Sequence, residues 1–174
     1  GDLIAEYVDL DAVMDLAATA PDLDVEPWDP AATLESAGWQ GHPFGESPLV
    51  GMFAGRAFTF RYPETTEMLI AAGFRVVDVD PLTDWRLPDG IQGLYLGGGF
   101  PQMHATDLET NSELADDVRS HAEAGMPIVA ECAGLLYLCR HLDGHEMAGV
   151  LPMDAAMAKR LTMGYRVATR DSIS

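Results

Sequence analysis

From Leu49 onward the chain alternates short apolar runs with stretches of helical spacing, and this rhythm limits the fold more than any other feature. Residues 49–54 read as an apolar strand. Residues 64–72 read as a helix that ends at Gly73, the residue type favoured just past a helix C-terminus. Two further strands are predicted at 74–79 and 93–96. Residues 111–124 predict a second helix, capped by Asn111 or Ser112 and stopped by Gly125. A fourth strand, 127–130, runs directly into Cys132, and 133–141 carries Leu135, Leu136, Leu138 and Cys139 at helical spacing. Strands this short and this uniformly apolar are buried on both faces. The alternation therefore implies an α/β fold with a parallel sheet covered by helices on both sides. In such sheets chemistry gathers at the carboxyl ends of strands, where Cys132 and the run Gly97-Gly98-Gly99 both fall.

Upstream the pattern differs. Residues 8–17 place apolar side chains three and four apart behind Asp9 or Asp11, which predicts a short amphipathic helix. Between Pro21 and Pro48 lie five of the eleven prolines together with Gly38, Gly41 and Gly45, without sustained period. That stretch predicts a linker. The boundary is accordingly placed so that 1–47 is helix and linker and 48–174 the folded domain. The first residue is Gly1 rather than Met, and the protein is expected to extend upstream.

Twenty-eight acidic residues against ten basic ones give a formal charge of −18. Such a surface repels phosphate backbones and anionic lipid, so neither nucleic acid nor membrane is expected as a partner. No run approaches the roughly 18 apolar residues of a membrane-spanning helix. Cys132 and Cys139 are the only cysteines, and seven helical steps separate them by about 10 Å, too far for a disulfide. Two lone thiols point to a reducing, cytoplasmic setting. No cysteine or histidine spacing resembles a metal site, and no G-x-x-x-x-G-K-[ST] phosphate loop occurs.

The segment from Pro127 to Leu138 sets a cysteine between a buried strand and an apolar helix. That order suits a nucleophile elbow, a sharp turn that projects the side chain outward at a helix N-terminus. A helix end favours the thiolate, and the small residues Ala133 and Gly134 let backbone approach a substrate carbonyl. The Ala133 amide can then face a developing oxyanion. A small core thiol at a strand end explains the same residues. Gly98 or Gly99 offers a second oxyanion amide, although three glycines after a strand also make an ordinary turn, with no helix expected directly after Pro101.

A base is harder to find. His42 lies in the linker, His121 on a polar helix face, and His141 and His145 at the exit of the helix after Cys132. His104, after the glycine run, is the one candidate neighbour. Glu131 either orients the turn or is a plain strand-end carboxylate, Cys139 reads as core, and Trp28 and Trp39 as packing residues of the linker.

Four strings stand out: 56–64 (RAFTFRYPE), 93–101 (GLYLGGGFP), 130–138 (AECAGLLYL) and Met163-Gly164-Tyr165. Together they resemble the glutaminase domain of the cobyrinic (or hydrogenobyrinic) acid a,c-diamide synthases. The resemblance runs from about Leu49 to Tyr165. It implies a class I glutamine amidotransferase-like domain, three-layer and flavodoxin-like, fused behind an ATP-binding synthetase domain. Residues 1–47 would then be helix and linker from that synthetase domain.

On this resemblance Cys132 attacks the side-chain amide of glutamine while Gly98 or Gly99 and Ala133 hold the oxyanion. Ammonia passes to the synthetase domain, where the a and c carboxylates of a corrin are amidated. No cofactor is expected on this chain; ATP and Mg belong to the synthetase domain. The partners implied are glutamine and, through that domain, the corrin, and a homodimer is compatible. Cobyric acid synthases share the design but fit the strings less well, and a non-catalytic regulatory module on the same scaffold is the reading from another class. The chain departs from the family at Ala133, where glycine is usual, and at Gln102, where glutamate is usual. The family's catalytic histidine is expected beyond residue 174, since Gly144-His145-Glu146 copies part of its motif too close to Cys132. The expectation is a C-terminally truncated domain, inactive by itself.

Overall fold

The computed structural model describes residues 2–42, 47–160 and 164–165. Pro43 and Gly45 of the expected linker, and Met163 of the last string, lie outside the described residues.

The four apolar runs form strands β1 (Leu49–Phe53), β2 (Arg75–Val79), β3 (Ile91–Leu96) and β4 (Ile128–Ala130). All pairings are parallel, in the order β2-β1-β3-β4. This is the flavodoxin-like order over its first four strands. The helices are α1 (Asp2–Tyr7), α2 (Leu10–Ala18), α3 (Pro30–Ser36), α4 (Pro63–Ala71), α5 (Ala105–Thr110), α6 (Ser112–Glu123) and α7 (Ala133–Leu138). Helix α4 joins β1 to β2 in one lateral direction, whereas α5 and α6 join β3 to β4 in the other. Parallel crossovers are right-handed, so opposite directions put the helices on opposite faces and make three layers. Asn111 precedes α6 without capping it; its side-chain amide instead donates to the Pro81 and Asp84 carbonyls, both at 2.8 Å. The loop leaving β2 is thereby tied to the α5–α6 junction.

Two parts differ from the sequence expectation. The stretch from Pro21 to Pro48 is more than linker: α3 forms there and packs against α4. Asp29 caps α3 by accepting from the Ala31 and Ala32 amides at 2.8 and 3.3 Å, and Pro30 fits the first turn because it has no N–H to lose. His42 then reaches the Gly73 carbonyl at 3.3 Å, just past α4. The one helix expected in 1–47 is thus three, although Asp9 does cap α2, accepting from the Ala12 amide at 3.0 Å.

Helix α7 also ends earlier than expected, at Leu138. His141 and His145 belong to a small separate sheet, β5 (His141–Leu142), β6 (His145–Glu146) and β7 (Asp154–Ala155), in the order β6-β5-β7. Its hairpin turns on Asp143-Gly144, the residue pair that suits a two-residue turn. Among the described residues no helix is long and apolar enough to cross a membrane.

The core beneath the carboxyl edge of the main sheet is aromatic. Phe53, at the end of β1, meets Phe58 and Tyr137 edge-on at centroid distances of 5.0 and 5.3 Å. All three are buried, so the loop after β1 and helix α7 share one hydrophobic anchor.

Candidate active site

Three loops meet above the carboxyl ends of β1, β3 and β4. The loop after β1 folds over the glycine run: the Phe60 amide donates to the Gly98 carbonyl at 3.1 Å, and the Phe100 amide to Ala57 at 3.0 Å. A Cβ on Gly99 would run into the Ala57 carbonyl oxygen and lie 2.8 Å from Phe58 Cα, so the close approach requires glycine. Arg61 forks onto Asp78 of β2 at 2.8 and 2.6 Å and holds the far end of the loop. Phe60 and Phe100 stack edge-on, centroids 5.2 Å apart, and stay half-exposed beside the glycines.

The register Leu96↔Ala130 sets the glycine run beside the turn that leaves β4. Cys132 stands in that turn with φ 49° and ψ −109°. A cysteine gains nothing from the left-handed region, where its Cβ crowds the backbone, and the conformation costs on the order of 1–3 kcal/mol. Such strain persists where the surroundings fix it, and here they do. The Glu131 amide donates to the Leu96 carbonyl at 3.0 Å, and the Gly134 amide lies 2.8 Å from the Glu131 carbonyl and 3.0 Å from that of Gly97. The Cys132 side chain is exposed. The turn is a strained strand-to-helix turn with its thiol exposed, so Cys132 does not pack as a core thiol.

The CobB/CobQ-like glutamine amidotransferase domain family matches residues 50–173. The chain belongs to this family. The hydrogenobyrinate a,c-diamide synthase of Thermobifida fusca is 47% identical over 165 residues, 93% of this chain and 34% of its own length. That of Streptomyces coelicolor is 44% identical over 197 aligned positions, covering 99% of this chain and 40% of its own. The cobyrinate a,c-diamide synthase of a Synechococcus strain is 43% identical over 124 residues, 68% of this chain and 27% of its own. The chain thus spans between 27% and 40% of these relatives.

Within this glutamine amidotransferase domain the expected residues fall as follows. Ala133 opens α7 in helical conformation with its side chain fully buried, so glycine is not demanded there. The position without room is Gly134, where a Cβ would run into the Leu96 carbonyl oxygen and sit 2.5 Å from Leu96 Cβ. Gly134 is therefore small for packing of α7 on β3, not for approach to a substrate. Among the described residues the amides of Gly99 and Ala133 make no hydrogen bond, and Gly98 is engaged through its carbonyl. Helix α7 has only six residues, so its dipole acts over little more than one turn. A 3₁₀ turn at Pro101–His104 and then α5 follow the glycine run directly, contrary to expectation.

The histidines are placed as follows. His121 meets the Asp117 carbonyl at 2.9 Å, His141 the Asp154 carboxylate at 2.8 Å, and His145 the Glu109 carboxylate at 2.8 Å. His104, half-buried at the end of the 3₁₀ turn that packs on α7, lies 3.9 Å from Asp107. Cys139 is buried and bonds the Leu135 carbonyl at 3.3 Å, and burial pushes its thiol pKa up. It behaves as core, as its position indicated. Among the described residues no cluster of three or more His, Cys, Asp or Glu could hold a metal ion.

Two participants escaped the sequence reading. Phe60 pairs with Gly98 in an isolated antiparallel bridge that no local pattern announces. The Tyr95 hydroxyl donates to the Glu131 carboxylate at 2.8 Å. Strand periodicity puts Tyr95 on the opposite side from Leu94 and Leu96, which was a usable signal.

Proposed function

We propose that this domain hydrolyses glutamine with Cys132 as nucleophile, and that the ammonia released serves an amide synthase acting on a corrin carboxylate. The observation that supports it is the strained, exposed Cys132 beside a glycine run whose Gly99 amide is unengaged among the described residues. The thiolate attacks the side-chain amide carbon of glutamine. The tetrahedral oxyanion is met by the Ala133 amide and by that of Gly98 or Gly99, since the Gly98 contact with Phe60 runs through its carbonyl and, among the described residues, leaves both glycine amides available. Ammonia leaves once the proton given up by the thiol reaches the amide nitrogen, and water cleaves the glutamyl thioester to return the thiol and glutamate. None of His121, His141 and His145 is assigned as base, since each is held by its own element or by the small sheet.

The relatives' names support (hydrogeno)cobyrinate as the acceptor, amidated at its a and c carboxylates. ATP and Mg would act in a synthetase portion, where the activated carboxylate meets the ammonia. The test is glutamine hydrolysis by the full-length protein and by its Cys132→Ala variant. Ammonia release that the alanine abolishes supports the reading. Release that survives it assigns the chemistry elsewhere.

A further inference from the structure

Glu131, the residue before the strained cysteine, is held three times. Its amide bonds Leu96, its carbonyl accepts from Gly134, and its carboxylate accepts from the Tyr95 hydroxyl at 2.8 Å. The first and last of these partners are neighbours on β3, so backbone and side chain of one residue are tied to one strand end. The two backbone bonds locate Glu131. The Glu131 carbonyl belongs to the peptide unit entering Cys132, so these two bonds fix the main chain there and leave the side chain to the third.

We propose that Tyr95 is a positioning residue for Cys132: its hydroxyl clamps the Glu131 carboxylate and adds a side-chain tether to the backbone bonds that keep this turn in its left-handed conformation. The inference rests on the reading of Cys132 as nucleophile. Left-handed φ in a residue other than glycine lasts only where neighbouring contacts over-determine it, and relaxation would re-aim the thiol. The tyrosine ring is half-buried and borders an open groove of 430 Å³ beside α4, shared with Thr65, Met68, Leu69 and Val129. Its hydroxyl is shared between Glu131 and Thr65, with the Glu131 carboxylate its acceptor at 2.8 Å. Burial first, and then the Glu131 carboxylate, raise the Tyr95 pKa, so the hydroxyl keeps its proton and remains a donor.

The experiment compares Tyr95→Phe, Glu131→Ala and Glu131→Gln in the full-length protein. Each is read by kcat and KM for glutamine hydrolysis and by amide hydrogen exchange over residues 131–136. Loss of one hydrogen bond to a charged group should lower kcat on the order of tenfold and speed exchange in that segment by a similar factor, with KM unchanged. Glu131→Gln keeps an acceptor oxygen and should stay near the parent, which a purely electrostatic role would not allow. Parental kcat and exchange in Tyr95→Phe would overturn the clamp, as would a Gln variant as impaired as the Ala variant. If the parent protein hydrolyses no glutamine, the nucleophile reading fails, and the exchange data alone judge the clamp.

Discussion

Replacing Gly134 by alanine puts the elbow's packing to a direct test, because two opposing effects of different size meet there. Alanine is a better helix former than glycine by about 1 kcal/mol, which favours the variant. Against this, the new methyl would run into the Leu96 carbonyl oxygen and lie 2.8 Å from its carbonyl carbon. Ordinary carbon contacts begin near 3.5 Å, so α7 must retreat from β3 by roughly 1 Å. Backbone cannot swing aside as a side chain would, so the cost lies in the upper part of the overpacking range, about 2–3 kcal/mol. The retreat also stretches the contact of the Gly134 amide with the Gly97 carbonyl, now 3.0 Å.

The clash should win by about 1–2 kcal/mol. For a chain of 174 residues that lowers the melting temperature by roughly 2–8 °C. On the proposed role of Cys132, a shift of about 1 Å at its turn should reduce glutamine turnover about a hundredfold. Gly93→Ala is the control: its methyl would meet the Pro127 carbonyl oxygen at 3.5 Å and Pro127 Cγ and Val50 Cγ2 at 3.8 Å, all ordinary contacts, and stability should change by no more than about 0.5 kcal/mol. Thermal unfolding followed by circular dichroism reads both. A Gly134→Ala protein as stable as the Gly93→Ala protein would refute the argument.

Two further outcomes follow from the structure. Cys132→Gly should be inactive yet more stable than the parent by about 1 kcal/mol in denaturant unfolding, since glycine relieves the left-handed strain and an exposed thiol leaves no cavity. The Glu146 amide and then His145 hold the Glu109 carboxyl below its ordinary pKa. Stability from a depressed carboxylate is present above its unfolded pKa and is lost as pH falls through the folded value. Glu109→Gln should therefore flatten the decline in urea midpoint as pH drops from roughly 5 toward 3.

The strands and the elbow were legible because each rests on local pattern. Residues 49–54 are a continuous apolar run, 74–79 are apolar but for Arg75 and Asp78, and Cys132 sits directly between a strand and a helix. Helix α3 was missed although its start was written in Asp29-Pro30, because proline density outweighed the cap. The small sheet was missed because residues 133–141 keep helical spacing past the point where the chain turns out of α7. The Asp143-Gly144 turn was the available signal. The contacts of Tyr95 with Glu131 and of Phe60 with Gly98 span 36 and 38 positions, and no local rule carries that information.

The meeting of Gly134 with Leu96 has a consequence for how this domain tolerates change. The spacing between the thiol's turn and the glycine run is gauged chiefly by main chain against main chain, the Gly134 amide on the Gly97 carbonyl and Gly134 itself against Leu96. Rotamer changes cannot widen the gap, and substitutions on the surrounding surface cannot reset it. The neighbourhood is therefore free to diversify around a fixed separation. Inserting or removing a residue at the end of β3, by contrast, would alter that gauge at once.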